Sequence, residues 1–284
     1  MNLLQPGIAV DLETGEVRVR RILGLNPGPM TGPGTNTYLV GSDKLTLIDP
    51  GPIDAVQLQN FLVAIGDATL VNILVTHTHG DHSPGALALA QQTGARLVGL
   101  NAPQAPGQDH SFVSDITCAD GDIIECRDSA GCYSLQMIHT PGHVSNHLCF
   151  LLREEGLLFT GDHVLQGTTP VILPPDGDMS DYLASLERLL QLPLVALAPA
   201  HGDVMPAPFT EIEKLIAHRL KREAKILERL RLLSPCTDDE LVVSAYDDVG
   251  EHLLPWAKRT MNAHLIKLEK EGMARFDELY WQVL

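Results

Sequence analysis

Along the first two hundred residues the apolar positions fall in short runs, each closed by Gly, Pro, Asp or Asn. Runs of that length between turn residues read as strands. They predict strands over Tyr38–Val40, Leu45–Ile48, Val71–Val75, Arg96–Leu100, Leu135–Ile138, His147–Leu152, Leu157–Thr160 and Val195–Ala198. The segment Phe150–Phe159 (FLLREEGLLF) reads as a hairpin turning at Arg-Glu-Glu-Gly. Helical spacing predicts helices over Ser83–Thr93 and Ser180–Leu190, the latter with Leu183, Leu186, Leu189 and Leu190 on one stripe. Strands alternating with a few helices point to mixed α/β layers. No internal repeat is present, and the one compositionally biased stretch is the Gly/Pro-rich loop Asn26–Asn36 (NPGPMTGPGTN).

After residue 208 the texture changes. Phe209–Leu233 carries Ile212, Leu215, Ile216, Leu220, Ile226 and Leu230 at helical spacing among many charges. Thr237-Asp-Asp-Glu240 is a capping-box pattern that opens a short helix. Leu254–Glu271 reads as a third helix stopped by Gly272, and Met273–Leu284 as a β-ribbon. Three helices and then two short strands is the order of a winged-helix module. Such modules bind nucleic acid or mediate dimerisation with equal ease, so a homodimer is one expectation for this tail.

Charge sharpens the boundary. Residues 1–207 hold 8 basic and 22 acidic side chains, whereas 208–284 hold 12 and 14. The expected domains are therefore 1–207 and 208–284. The net charge of −16 over 284 residues argues against unspecific nucleic-acid binding by the whole surface. No apolar run reaches the roughly 18 residues a membrane span needs. The first residues (MNLLQPGIAVDLETGEVRVRR) contain no apolar signal core, so a cytoplasmic location is expected. Five cysteines without a C-x-x-C read as reduced, buried thiols, not as a disulfide scaffold or a Cys-based zinc site.

The densest chemical signal is Thr76-His-Thr-His-Gly-Asp-His82, directly after the run Val71–Val75. Imidazole and carboxylate are borderline ligands suited to zinc. In extended backbone His77 and His79 share a face, and a turn at Gly80 swings Asp81 and His82 toward a second point. One short loop thus furnishes half-sites for two metals. Three more donors each follow an apolar run beside Gly or Pro: His143, Asp162 and His201. If those runs end at one edge, all seven donors open onto one cleft.

With these residues in order behind Asp49, the chain resembles the metallo-β-lactamase superfamily over residues 20–205. NPGPMTGPGTNTYLV, TGDHVLQGTT and the winged-helix tail are similar to its beta-lactamase-like protein 2 group, which includes a single-strand endoribonuclease and polyketide-releasing thioesterases. The resemblance implies an α/β (α+β) fold, a four-layer αββα sandwich with a small winged-helix domain behind it. It implies two Zn2+ per chain, with iron or manganese as rivals. By it His77, His79 and His143 would hold the first metal; Asp81, His82 and His201 would hold the second; Asp162 would bridge both. Two such ions about 3.5–4 Å apart bring a shared water's pKa toward ~7. Asp81 and Asp162 are the candidate catalytic carboxylates, Asp81 orienting the attacking hydroxide or carrying its proton. True β-lactamases usually lack the bridging carboxylate, so antibiotic hydrolysis is not expected.

The supporting residues are read more plainly. Asp49 is expected to accept hydrogen bonds that orient a ligand loop, and not to be a ligand itself. His147 and His163 are candidates to support or line the cleft, His139 a core histidine and His110 a surface one. On the tail, His218, Arg219, Arg222 and Lys225 read as a solvated helix face, with binding of an anionic substrate as the rival; Lys258, Arg259, Lys267 and Lys270 raise the same question. The expected activity is hydrolysis of a small ester or thioester. The alternatives are single-stranded RNA cleavage and a non-enzymatic winged-helix nucleic-acid-binding protein with a structural metal centre. Only 38 residues separate Asp162 from His201, too few for the insertion of the RNA-cleaving β-CASP branch.

Overall fold

The computed structural model describes residues 4–284, and the chain divides into two compact units. The first comprises the chain up to Thr140 with Asn146–Thr169 and Leu192–Pro208; the second comprises Pro141–Ser145, Pro170–Gln191 and Phe209–Leu284.

The first unit opens with β1 (Ala9–Asp11), β2 (Val19–Leu23), β3 (Asn36–Val40), β4 (Lys44–Ile48) and α1 (Ala55–Ile65). It continues with β5 (Thr69–Leu74), α2 (Gly85–Thr93), β6 (Arg96–Gly99) and β7 (Ile116–Thr117). These seven strands form one sheet in chain order, antiparallel from β1 to β4 and parallel from β4 to β7. A second sheet contains β8 (Ile123–Asp128), β9 (Gly131–His139), β10 (Leu148–Leu152), β11 (Leu157–Gly161) and β12 (Ala196–Pro199). Its order is β12-β11-β10-β9-β8, with only β11 and β12 parallel. The expected hairpin is present, with Phe150 opposite Phe159 and Leu152 opposite Leu157.

Both faces of the first sheet are covered, which explains why its strands read as continuous apolar runs. Tyr38, Val40, Ile48 and Leu74 meet Tyr133, Leu135, Met137, Phe150 and Phe159 of the second sheet. Leu39, Leu45, Leu47, Ile73 and Leu97 face the other way, onto Phe61 and Ile65 of α1 and Ala86 and Leu89 of α2. The mixed α/β expectation holds.

Five elements escape the pattern reading: β1, β2, β7, β8 and α1. Strand β2 (VRRIL) hides behind two arginines, whose side chains are nevertheless buried. Arg20 donates to the Ala64 carbonyl, and Arg21 to the Gly202 carbonyl and Asp203. In β8 charged residues alternate and mask the strand. Helix α1 has no charged residue and leaves Val56 and Val63 exposed, so it shows no polar face; Asp54 caps it by accepting from Gln57 N. Cys132 is exposed, while Cys118, Cys126, Cys149 and Cys236 are buried, so the expectation of buried thiols fails at one position.

The second unit contains α3 (Met179–Leu189), α4 (Pro208–Leu233), α5 (Asp238–Ala245), α6 (Leu254–Lys270), β13 (Ala274–Asp277) and β14 (Tyr280–Val283). Asp178 caps α3, whose buried stripe is Tyr182, Leu183, Leu186 and Leu189; Leu190 is only half-buried because it already lies past the helix end. The capping box of Thr237 and Glu240 forms as read. Ile226, Leu230, Leu241, Met261, Leu265 and Trp281 build the core of the tail.

Helix α4 corrects the sequence expectation in its middle turns. Beyond its first residue its buried positions are Ile212, Leu215, Arg219, Glu223, Ile226 and Leu230, while Leu220 is exposed. Two charged residues therefore occupy the middle of the buried stripe, and Arg219 is not on a solvated face. Glu223 is met by His264 Nδ1 at 3.0 Å and Lys267 Nζ at 2.6 Å. Arg222 pairs with Asp248, and Lys225 with Asp247 and Asp248. Lys258 pairs with Asp239 and Lys270 with Asp178, so acids of the same unit answer most of the tail's basic side chains. Among the described residues no helix is long and apolar enough to cross a membrane.

Candidate metal centre

The donors of the first unit come from carboxyl-terminal strand ends. The loop after β5 carries His77, His79, Asp81 and His82; Asp162 follows β11 and His201 follows β12. Backbone hydrogen bonds tie the two sheets together at this edge: Leu148 N donates to Thr76 O and Asn36 N to Ala200 O, each at 2.7 Å. Close approach leaves no room for a side chain at Gly161, which has φ 48°; a Cβ there would lie 2.7 Å from both His147 Nε2 and Thr76 Oγ1.

Four atoms converge. His201 Nε2 lies 3.3 Å from both Asp81 Oδ2 and Asp162 Oδ1. His82 Nε2 lies 3.6 Å from Asp81 Oδ2 and 3.5 Å from Asp162 Oδ1. Zinc held tetrahedrally by N and O ligands at about 2.0–2.1 Å sets ligand–ligand separations of roughly 3.3–3.4 Å. The pocket therefore has the dimensions of a metal cage. Nε2 of His82 and of His201 are both buried and make no hydrogen bond of acceptable geometry among the described residues, as expected of nitrogens reserved for a cation. His77, His82 and Asp162 form a set with ligand atoms within 4.8 Å, so the Asp162 carboxylate lies near His77 as well as near His82 and His201. His77 Nε2 and His79 Nδ1 face each other at 2.9 Å.

The other ring nitrogens explain this orientation. Thr76 Oγ1 donates to Asp49 Oδ2 at 2.7 Å, so its lone pair is left for His77 Nδ1–H at 3.1 Å. His82 Nδ1–H donates to Asp49 Oδ2 at 3.0 Å. His201 Nδ1 faces the Gly34 carbonyl at 3.4 Å. Each contact places the proton on Nδ1 and presents Nε2 to the pocket. Asp49 is thus a buried acceptor, also taking Thr76 N at 2.8 Å. It adopts φ 52°, a left-handed conformation uncommon outside glycine and most accessible to Asn and Asp.

Charge in the pocket is unbalanced toward the acids. Burial disfavours the charge on Asp81, but His82 and His201 outweigh it and draw the carboxyl down to about 2. Burial likewise opposes an imidazolium at His82, yet Asp81, Asp162 and Asp49 hold its pKa well above the ordinary range. His201 is raised too, with Asp162 and Asp81 prevailing over burial. The site asks for positive charge, either protons on these rings or a metal in their place.

His147 is buried, its Nδ1 2.9 Å from Thr140 Oγ1 and its Nε2 accepting from Asp162 N at 3.2 Å, so it positions the carboxylate's backbone. His163 is fully buried with its ring 5.7 Å from that of His147. His110 is exposed and His139 half-buried at the end of β9. His143 belongs to the second unit, on the turn Pro141–Ser145, with Nδ1 2.6 Å from the Val171 carbonyl. Residues that sequence reasoning missed are Thr76, Gly34 and Asn36, whose Nδ2 holds the carbonyls of Pro199 and Gly202 flanking His201. Their only signal was adjacency to a donor or membership of the Gly/Pro-rich loop.

Residues 30–201, more than half the chain, match the metallo-beta-lactamase superfamily. The chain belongs to that superfamily. Residues 237–281 match the beta-lactamase associated winged helix domain. A Drosophila melanogaster protein called beta-lactamase-like protein 2 homolog is 34% identical over 270 residues, 90% of this chain and 89% of the relative. The atrochrysone carboxyl ACP thioesterase of Claviceps purpurea is 32% identical over 249 residues, 84% and 75% of the two chains. A metallo-beta-lactamase family protein from Thermus thermophilus has the same fold, with TM-score 0.76 at 22% identity over 94% of this chain and 98% of its own. A beta-lactamase domain protein from Burkholderia ambifaria reaches TM-score 0.80 at 18% identity, covering 100% of this chain and 95% of its own. Family membership and thioesterase-named relatives support a hydrolase.

Proposed function

We propose that this metallo-β-lactamase-fold protein is a dinuclear zinc hydrolase of small esters or thioesters. The observation that carries the reading is Asp162, whose carboxylate lies within 3.5 Å of His82 and His201 while also grouping with His77. In this reading His77, His79 and His143 hold one metal, Asp81, His82 and His201 the other, and Asp162 both. A closed structural site needs four ligands, so seven donors argue for two open ions. When bound, the metals supply Lewis acidity that polarises the substrate carbonyl and makes hydroxide available from water at neutral pH.

The chain's own groups do the rest. Thr76, Asp49 and Gly34 fix the rings of His77, His82 and His201 by accepting hydrogen bonds from their Nδ1–H groups. Asp81, held ionised, orients the attacking water by accepting its hydrogen bond. Residues 1–207 would form the hydrolase domain, and 208–284 a winged-helix-like carboxyl-terminal domain. Thioesterase-named relatives and the acidic catalytic half favour a small acyl substrate over a polyanion.

The test is metal analysis followed by an acyl-coenzyme A panel read with a thiol-reactive dye. About two zinc per chain and thiol release abolished by His77→Ala are expected. Less than one metal per chain after zinc supplementation would overturn the metal reading. A metal-loaded protein that is silent on thioesters and esters but cuts a labelled single-stranded RNA would replace the substrate.

A further inference from the structure

Arg219 is a buried cation in the middle of an otherwise largely apolar helix stripe, with 3% of its surface exposed. A charge so placed is expensive and persists only where something holds it. Among the described residues it forms no side-chain ion pair with an acid; instead Nη2 donates to the Pro170 carbonyl, and the guanidinium lies 5.4 Å over the Tyr182 ring. Both contacts belong to the segment Pro170–Gln191, which lies far from α4 in sequence.

That segment surrounds the turn bearing His143. The residue after Pro170 is Val171, whose carbonyl takes His143 Nδ1–H at 2.6 Å. Asp178 N donates to Gly142 O at 2.9 Å, and Ser185 Oγ to Pro141 O at 2.8 Å. Gly142, at φ 140°, sits so close that a Cβ would lie 2.3 Å from Tyr182 Cα. Arg219 therefore grips two neighbours of the His143 turn: the Pro170–Val171 peptide, one unit before the carbonyl that orients its ring, and the aromatic residue against which its glycine rests. The second tie from the tail, Lys270 to Asp178 at 2.5 Å, is on a side chain 57% exposed and is screened by solvent.

We propose that Arg219 is a positioning residue of the metal centre, through which helix α4 fixes the tautomer and rotamer of His143. The His143 turn is then held, within its own compact unit, by the same helix that carries Glu223 to His264 and Lys267. This rests on the reading of His143 as a metal ligand. The fit is chemical: with Nδ1–H spent on Val171, His143 presents Nε2, as His77, His82 and His201 do.

The test measures zinc stoichiometry and affinity of the full-length protein by competition with a chromophoric chelator, for wild type, Arg219→Lys and Arg219→Gln. Zinc affinity at one of two sites is expected to weaken roughly 10- to 100-fold, with Lys milder than Gln and the other site little changed. Arg222→Gln, on the same helix but paired with Asp248, removes a comparable contact and should leave both affinities alone. Folded Arg219 variants that bind two zinc ions as tightly as wild type would overturn the proposal. Wild type that binds no zinc would instead overturn the proposed function. If the Arg219 variants do not fold, NMR of the metal-free wild type decides: an Nδ1–H tautomer at His143 is expected, and an Nε2–H tautomer sinks the proposal.

Discussion

At the scale of single residues, what distinguishes this site from a chance gathering of histidines is the fate of each Nδ1. Asp49 serves three donors at once, Thr76 N, Thr76 Oγ1 and His82 Nδ1, and adopts a left-handed backbone to do so. Asp49→Ala is expected to weaken metal binding roughly 10- to 100-fold, because a supporting carboxylate fixes ligand orientation and basicity; zinc competition titration checks it. Gly161 is a steric requirement of a different kind. Gly161→Ala should destabilise the protein by about 1–3 kcal/mol through overpacking against His147 and Thr76, and lower hydrolysis with it. Urea denaturation alongside an activity assay separates the two effects, and a neutral result would show that the edge relaxes.

At the scale of elements, a simple regularity places the chemistry. The donors of the first unit follow β5, β11 and β12, each the carboxyl end of a strand that has a parallel neighbour. Parallel strands direct successive chain ends to one side, so distant loops become neighbours. The tail contains a separable test of local stability. Thr237→Ala removes the capping box of α5, a hydroxyl that accepts from Glu240 N. It should cost about 1 kcal/mol, seen in denaturation, while zinc content stays unchanged. Apolar runs and capping patterns made most of these elements legible. Helix α1 and strand β2 were not, because α1 lacks a polar face to contrast with its apolar one and β2 carries arginines whose partners lie far along the chain.

At the scale of the molecule, the site's charge links pH, metal and stability. In the metal-free protein the raised pKa values of His82 and His201 stabilise the fold fully below the unfolded value of 6.5 and cease to do so as pH rises through the folded values. The lowered Asp81 acts at the other end, stabilising above 3.8 and losing its contribution as pH falls through about 2. Metal-free protein should therefore lose thermal stability from near-neutral toward alkaline pH, whereas zinc-loaded protein should not. Zinc uptake at pH 7 should release protons. Thermal scans with and without chelator, and calorimetry in two buffers of different ionisation enthalpy, read these outcomes; identical pH profiles for the two forms would contradict them.

Residue order alone established the chemistry on offer: which side chains are donors, that they follow apolar runs, and that a helical tail with a capping box succeeds them. Those properties are local, set by residue type and by spacing within one turn or strand. Folding supplied what spacing cannot encode. It chose which nitrogen His201, His82 and His143 present, since Gly34, Asp49 and Val171 hold the other one from elsewhere in the chain. It put Arg219 rather than Leu220 on the buried stripe of α4, because the stripe there meets a peptide carbonyl and an aromatic ring instead of an apolar core.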